Sequence, residues 1–305
     1  MADDNASFSC LLFCDEEPFD STPPPPEQQQ QQDEQGGEVL LLHVRTPDDG
    51  DEVVEYYKAK ERLYAPQRDG CYLRHLLLQV STTSQPQHGV LAARFKAALG
   101  RLRLAAATAF NAVNYLDRFL SINCHLRWEE WMVEVVSVAC LSVACKLDEV
   151  TIPSLHDLQM EEVMGHSFRP STIRDMELTL LKALQWRLAC VTPFSFLLLP
   201  TVAAASRCTA LLLRSLFDPS FLRFDASLVA ASALRCVAQH PQLHLSSHVN
   251  RLIHPLCQTD SEVKECFNMM EAIHTNLDVS NNNPSKPSEQ QWSPISVIPF
   301  HSSQQ

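Results

Sequence analysis

The sequence predicts an all-α protein: two consecutive helical domains set between an acidic N-terminal tail and a polar C-terminal tail. Three observations carry that class. From about residue 89 to 277, apolar residues recur at helical spacing with few interruptions. The stretch from Glu129 to Lys146 is apolar on nearly every face, which requires neighbours on nearly every side. Val191-Thr192-Pro193 then breaks the pattern near its middle, so one helical array ends and another begins there.

Each element follows from its own residues. Residues 15–38 combine Pro23 to Pro26, Gln28 to Gln32, several acids and Gly36-Gly37, with too little apolar area to offset the entropy of ordering, so disorder is expected. Order is expected from near Glu52, where Val53, Val54, Tyr57, Leu63 and Tyr64 recur up to Pro66, and 79–88 reads as a loop. The first helix before the break carries Val90, Leu91, Phe95 and Leu99, and the second Phe110, Val113, Leu116, Phe119 and Leu120. The third is 129–146, expected at the centre. A short fourth follows Pro153 with Ser154 as its cap, and the fifth takes Thr172 as N-cap, with Ile173, Met176, Leu180 and Leu184 along one stripe. After the break, helices are expected from Phe194 to Ala205, Cys208 to Phe217 and Asp225 to Gln239, with weaker segments at 247–257 and 261–277. From Asp278 onward, Asn, Pro and Gln signal a second disordered tail. The resulting division is 1–51, an acidic tail; 52–87, a helical segment and loop; 88–192 and 193–277, the two helical domains; and 278–305, a tail.

Charge and cysteine usage exclude several function classes. The formal net charge is −12, and residues 1–50 hold twelve Asp or Glu against one Arg. The remaining body balances twenty-four acids with twenty-three bases, so it lacks the basic face that neutralises phosphates and no nucleic-acid partner is expected. Met1-Ala2-Asp3-Asp4 places acids where a secretion signal needs bases, and the longest apolar run, Val135 to Cys145, is too short to span a membrane. The eleven cysteines are odd in number, form no CxxC pair, and mostly sit in apolar helical runs (Cys140, Cys145, Cys190, Cys208, Cys236), which predicts reduced thiols acting as small hydrophobes. His125 near Cys124, and His240 with His244, have no metal-ligand spacing, and seven Gly leave no phosphate-cradling loop. No cofactor is expected, and the reading is a binding protein rather than an enzyme.

One succession of motifs is more specific. Asn114-Tyr115-Leu116-Asp117-Arg118-Phe119-Leu120-Ser121, Leu141-Ser142-Val143-Ala144-Cys145-Lys146-Leu147-Asp148-Glu149, Met176-Glu177-Leu178, Leu184-Gln185-Trp186-Arg187 and Val191-Thr192-Pro193-Phe194-Ser195-Phe196 together resemble the cyclin box. The succession is most similar to plant D-type cyclins, and within them to the divergent D7-like group. Glu61-Arg62-x-Tyr64-x-Pro66 and Tyr72-Leu73 fit the segment that precedes the box. The resemblance implies two tandem cyclin folds of about five helices each, and a subunit that binds and activates a cyclin-dependent kinase, here an A-type plant kinase, in the nucleus and also the cytoplasm. Kinase inhibitor proteins are further partners it implies.

The resemblance also assigns roles to residues whose own chemistry is less specific. Lys146 ends an apolar helix, where a cation is favoured by the last carbonyls and the stem snorkels off the core. In the family it matches the lysine that clasps kinase backbone carbonyls, and Glu177 matches the acid that accepts kinase hydrogen bonds. Asp117 lies in an apolar helix and needs a partner. The family's partner is an Arg, which is His88 here, while the family's Trp six residues later is Arg94. Either His88 or Arg94 is a candidate partner for Asp117. Val90 and Leu91 match the apolar positions of the family's substrate-docking patch, where Gln87 replaces a Met.

The acidic tail carries Leu12-Phe13-Cys14-Asp15-Glu16, the LxCxE pattern of proteins that bind the retinoblastoma pocket. In an extended strand Leu12, Cys14 and Glu16 point to one side, two to fill apolar pockets and one to accept donors. A retinoblastoma-related protein is therefore the second expected partner. Thr22-Pro23, Thr46-Pro47 and Ser293-Pro294 fit proline-directed phosphorylation at Thr22, Thr46 and Ser293. Two other readings share the fold: a pocket-binding protein with weak or no kinase activation, and a cyclin-like transcription factor or scaffold.

Overall fold

The structure is a computed structural model that describes residues 47–67, 72–74, 98–126, 128–159, 166–197, 202–238 and 261–281, all within one unit spanning Val44–Gln305. The principal helices among the described residues are α1 (Pro47–Glu61), α2 (Ala106–Ile122), α3 (Glu130–Asp148), α4 (Leu155–Gln159), α5 (Pro170–Ala183), α6 (Val202–Ser215), α7 (Ala226–Ala238) and α8 (Ser261–Asn281), and residues 72–74 and 98–102 are helical as well. Short 3-10 turns stand at Arg62–Tyr64, Pro193–Phe196 and Pro219–Arg223, and no strand occurs among the described residues.

Each half is organised about one buried helix. α3 packs against α2, α4 and α5, and every residue from Met132 to Cys145 is buried. Five of those residues are valine, whose stiff side chains disfavour helices, so burial on all sides rather than propensity holds α3 together. The same logic recurs in α7, where Ala230, Ala231 and Ala233 let α6 and α8 approach closely. Antiparallel neighbours also cap one another: Glu149, just past α3, accepts hydrogen bonds from the Ala105 amide (2.7 Å) and the Thr108 hydroxyl (2.5 Å) at the start of α2. The Ala105 amide is a backbone donor that the start of a helix leaves without an intrahelical partner.

α1 belongs sequentially to the first half but docks on the second. Glu61 is buried at its C-terminal end and accepts from the Ser227 amide (2.7 Å) and hydroxyl (2.9 Å), capping α7 across 166 residues of sequence. A carboxylate there meets both the free amides and the positive end of the helix dipole. Edge-on contact of Tyr57 with Phe196 and stacking of Phe110 on Phe194 fasten the 3-10 turn between the halves.

Several expected boundaries shift for identifiable reasons. α1 starts at Pro47 rather than Glu52, because proline suits the first helical position. The same preference places the start of α5 at Pro170, with Arg169 as N-cap, so Thr172 lies inside the helix and does not cap it. Ser154 does cap α4: its hydroxyl accepts from the Asp157 amide (3.2 Å) and donates to the Asp157 carboxylate (2.6 Å). The two helices expected from Phe194 and from Cys208 are instead a 3-10 turn and one helix, α6, with Cys208 at its middle. α8 continues through Asn281, past the expected end at 277. Cys190 lies outside the helices, whereas Cys140, Cys145, Cys208 and Cys236 are buried free thiols within them as expected. Of the first expected helix, only 98–102 is described, and Leu99 is fully buried.

Candidate functional site

α3 and α5 lie side by side and bring together two residues that are 31 apart in sequence. Lys146 Nζ donates to Glu177 Oε2 at 2.5 Å. Lys146 is exposed at the last turn of α3, where the unpaired carbonyls favour its charge, while Glu177 is only 7% exposed on α5. The second carboxylate oxygen, Glu177 Oε1, is buried and has no hydrogen-bond partner among the described residues. A buried carboxylate oxygen without a donor is costly.

Large apolar side chains next to this pair in sequence face solvent. Leu147 follows Lys146 and is 56% exposed, Leu178 follows Glu177, and Val150 and Ile152 extend the exposed apolar surface beyond α3. Trp186, just past α5, is 63% exposed. Gln185 and Trp186 both have positive φ (54° and 58°), a left-handed conformation that disfavours side chains larger than glycine. The turn is held from within: the Trp186 amide donates to the Leu181 carbonyl (3.0 Å), the buried Arg118 guanidinium to the Arg187 carbonyl (2.8 Å), and the Tyr115 hydroxyl to the Leu188 carbonyl (2.8 Å). Strain at two consecutive bulky residues, over-determined by buried donors, holds an indole out in water.

The other sequence-derived candidates distribute differently. Asp117 is 1% exposed and accepts a hydrogen bond from the Tyr72 hydroxyl at 2.7 Å, a partner that sequence reasoning did not find. His88 and Arg94, the candidate partners, lie outside the described residues. So do Val90, Leu91, Leu12, Cys14, Glu16, Thr22, Thr46 and Ser293. No grouping of His, Cys, Asp and Glu suited to a metal ion occurs among the described residues, and no described helix is long and apolar enough to cross a membrane.

Comparison with known proteins decides the family. Residues 52–189 match the family "Cyclin, N-terminal domain" and residues 191–299 match "Cyclin, C-terminal domain". A protein of Oryza sativa subsp. japonica described as "Putative cyclin-D7-1" is 70% identical over 98% of this chain and 91% of its own length. The chain belongs to the plant D-type cyclins. Cyclin-D1-1 of Arabidopsis thaliana is 37% identical, but over only 54% of this chain and 52% of that one. The crystal structure of a viral cyclin from herpesvirus saimiri matches with a TM-score of 0.56, covering 73% of this chain and 96% of the viral one at 14% identity, a likeness of fold alone. The two halves are thus tandem all-α cyclin domains, and as a cyclin the chain is not an enzyme.

Leu147 and Trp186 are exposed large apolar residues that sequence reasoning passed over. Both stood inside quoted motifs. The available signal for Trp186 was a large aromatic after the last stripe residue of α5, Leu184, in a position no buried face required.

Proposed function

We propose that this cyclin is the regulatory subunit of a cyclin-dependent serine/threonine kinase, which it binds and activates, and that it recruits a retinoblastoma-related protein for phosphorylation, promoting G1/S progression and cell division. One observation supports the kinase-binding half of this reading: the Lys146–Glu177 pair, in which the second carboxylate oxygen has no donor among the described residues, with Leu147 and Leu178, next to the pair in sequence, exposed. Lysine supplies donors for backbone carbonyls and Glu177 supplies an acceptor, and exclusion of water at the contact strengthens both. The cyclin positions the partner's mobile elements, and the phosphoryl transfer is performed by the partner's residues. An A-type plant kinase is the proposed partner, and nuclear entry is proposed to occur with it.

Recruitment of the substrate falls to Leu12, Cys14 and Glu16, with the flanking acids Asp15, Glu17 and Asp20 steering the tail to a basic rim. The test is a fluorescence-anisotropy titration of the full chain and its Cys14→Ala variant against a retinoblastoma-related pocket domain. Tight binding by the parent with at least tenfold weakening in the variant is expected, and equal binding by both removes the motif from the account.

A further inference from the structure

A cavity of about 100 Å³ lies at the junction of the two cyclin domains, bounded by the segment after α1, by α2, by the Val191–Pro193 strap and by the start of α7. Its described walls are mostly apolar, with Phe110 and Val113 from α2, Phe221 and Phe224 from the turn before α7, and Val229 from α7. The polar groups in these walls are bonded to the chain's own partners. Glu61 accepts from the Ser227 amide and hydroxyl (2.7 and 2.9 Å), Asp117 from the Tyr72 hydroxyl (2.7 Å) and Asp218 from the Ser220 amide (2.9 Å), while Asp225 pairs with Arg62 at 3.4 Å. Asn114 donates to the Tyr64 carbonyl (2.8 Å) and Ser215 to the Leu212 carbonyl (2.7 Å). A buried water needs roughly two to four polar partners to hold it, and here those groups are already engaged within the protein.

We propose that this cavity is a binding site for a small uncharged apolar molecule, an aromatic ring or branched hydrocarbon no larger than benzene, packed between the two domains. A void leaves the side chains around it without contact partners, and an apolar guest restores those contacts. An apolar cavity of about 150 Å³ stays dry and takes up benzene, which places the size limit of this smaller one near a single ring. Polar molecules of the same size are disfavoured, because entry strips their hydration and the wall groups are bonded elsewhere. A guest touches α2 of one domain and α7 of the other, so its binding is coupled to how firmly the domains are joined. The lining includes neither Lys146 nor Glu177, and the site is separate from that pair.

The test uses the full chain with methyl-labelled valine, titrated with benzene as probe and with pyrazine, a ring of the same size that carries polar nitrogens. Saturable shifts of the Val113 and Val229 methyl signals are expected with benzene, together with a benzene-dependent rise in unfolding temperature and at least tenfold weaker binding of pyrazine. Val229→Phe, which fills the cavity, is expected to abolish benzene binding. Val113→Ala, which enlarges it, is expected to bind the larger toluene at least fivefold more tightly than the parent does. Absence of a saturable shift with benzene, equal affinity for pyrazine, benzene binding retained in a folded Val229→Phe chain, or toluene bound no tighter by Val113→Ala than by the parent each overturns the proposal.

Discussion

Lys146 and Glu177 stand 2.5 Å apart, nitrogen to oxygen, yet Glu177 leaves its other oxygen buried without a donor. An internal bond between two residues proposed to hold a partner separates a folding role from a binding role. Lys146→Glu and Glu177→Lys each place like charges together and lose kinase capture, with truncation of such contacts costing about 2–5 kcal/mol of binding. The double variant with the two charges exchanged restores the internal pair and its stability but not the binding. Pull-down of the kinase and thermal unfolding of the three variants check both halves of this expectation.

Trp186 gives a second separation. Its positive φ costs an L-residue about 1–2 kcal/mol that glycine does not incur. Trp186→Gly is therefore expected to unfold at the same or a higher temperature while weakening kinase binding at least tenfold. A Trp186→Gly protein that binds like the parent removes the indole from the interface.

Glu61 ties α1 to α7. Replacing it with Ala removes the two hydrogen bonds to Ser227 and is expected to cost about 1–2 kcal/mol, the scale of a lost helix cap. Denaturant unfolding measures the loss, and limited proteolysis is expected to cut within α1 sooner than in the parent. An unchanged midpoint contradicts the assigned cap.

Burial pushes the thiols of Cys145, Cys208, Cys236 and Cys266 up to about 12, against an ordinary value of 9.0. Only the thiolate alkylates, so a brief iodoacetamide pulse at pH 8 is expected to spare these four until the chain unfolds, as read by mass spectrometry. The sign of the pH dependence follows. The unfolded thiols ionise near pH 9.0 and the folded ones near 12, so their contribution to stability is complete below 9.0 and is lost as pH rises toward 12.

Much of this architecture was legible because it depends on local patterns. The all-round apolar character of 129–146 forecast the central helix, and a motif of adjacent residues marked Lys146 and Glu177. What was not legible depends on partners distant in sequence. Nothing near Asp117 announces Tyr72, 45 residues earlier, and nothing near Glu61 announces Ser227. Glu134 is a further case: an acid at the middle of the apolar α3, fully buried, with a carboxylate oxygen 2.8 Å from His166 Nδ1. The strained turn at Trp186 escaped for another reason, since periodicity reports where a helix runs but not the handedness of the residues that end it.

The most direct test of the account is co-expression of the full chain with an A-type plant cyclin-dependent kinase, followed by a kinase assay on a retinoblastoma-related protein. The parent chain is expected to co-purify with the kinase and support phosphorylation, and the Lys146→Glu chain, equally folded, to do neither. A folded parent chain that leaves the kinase inactive, or a Lys146→Glu chain that activates it equally well, contradicts the account.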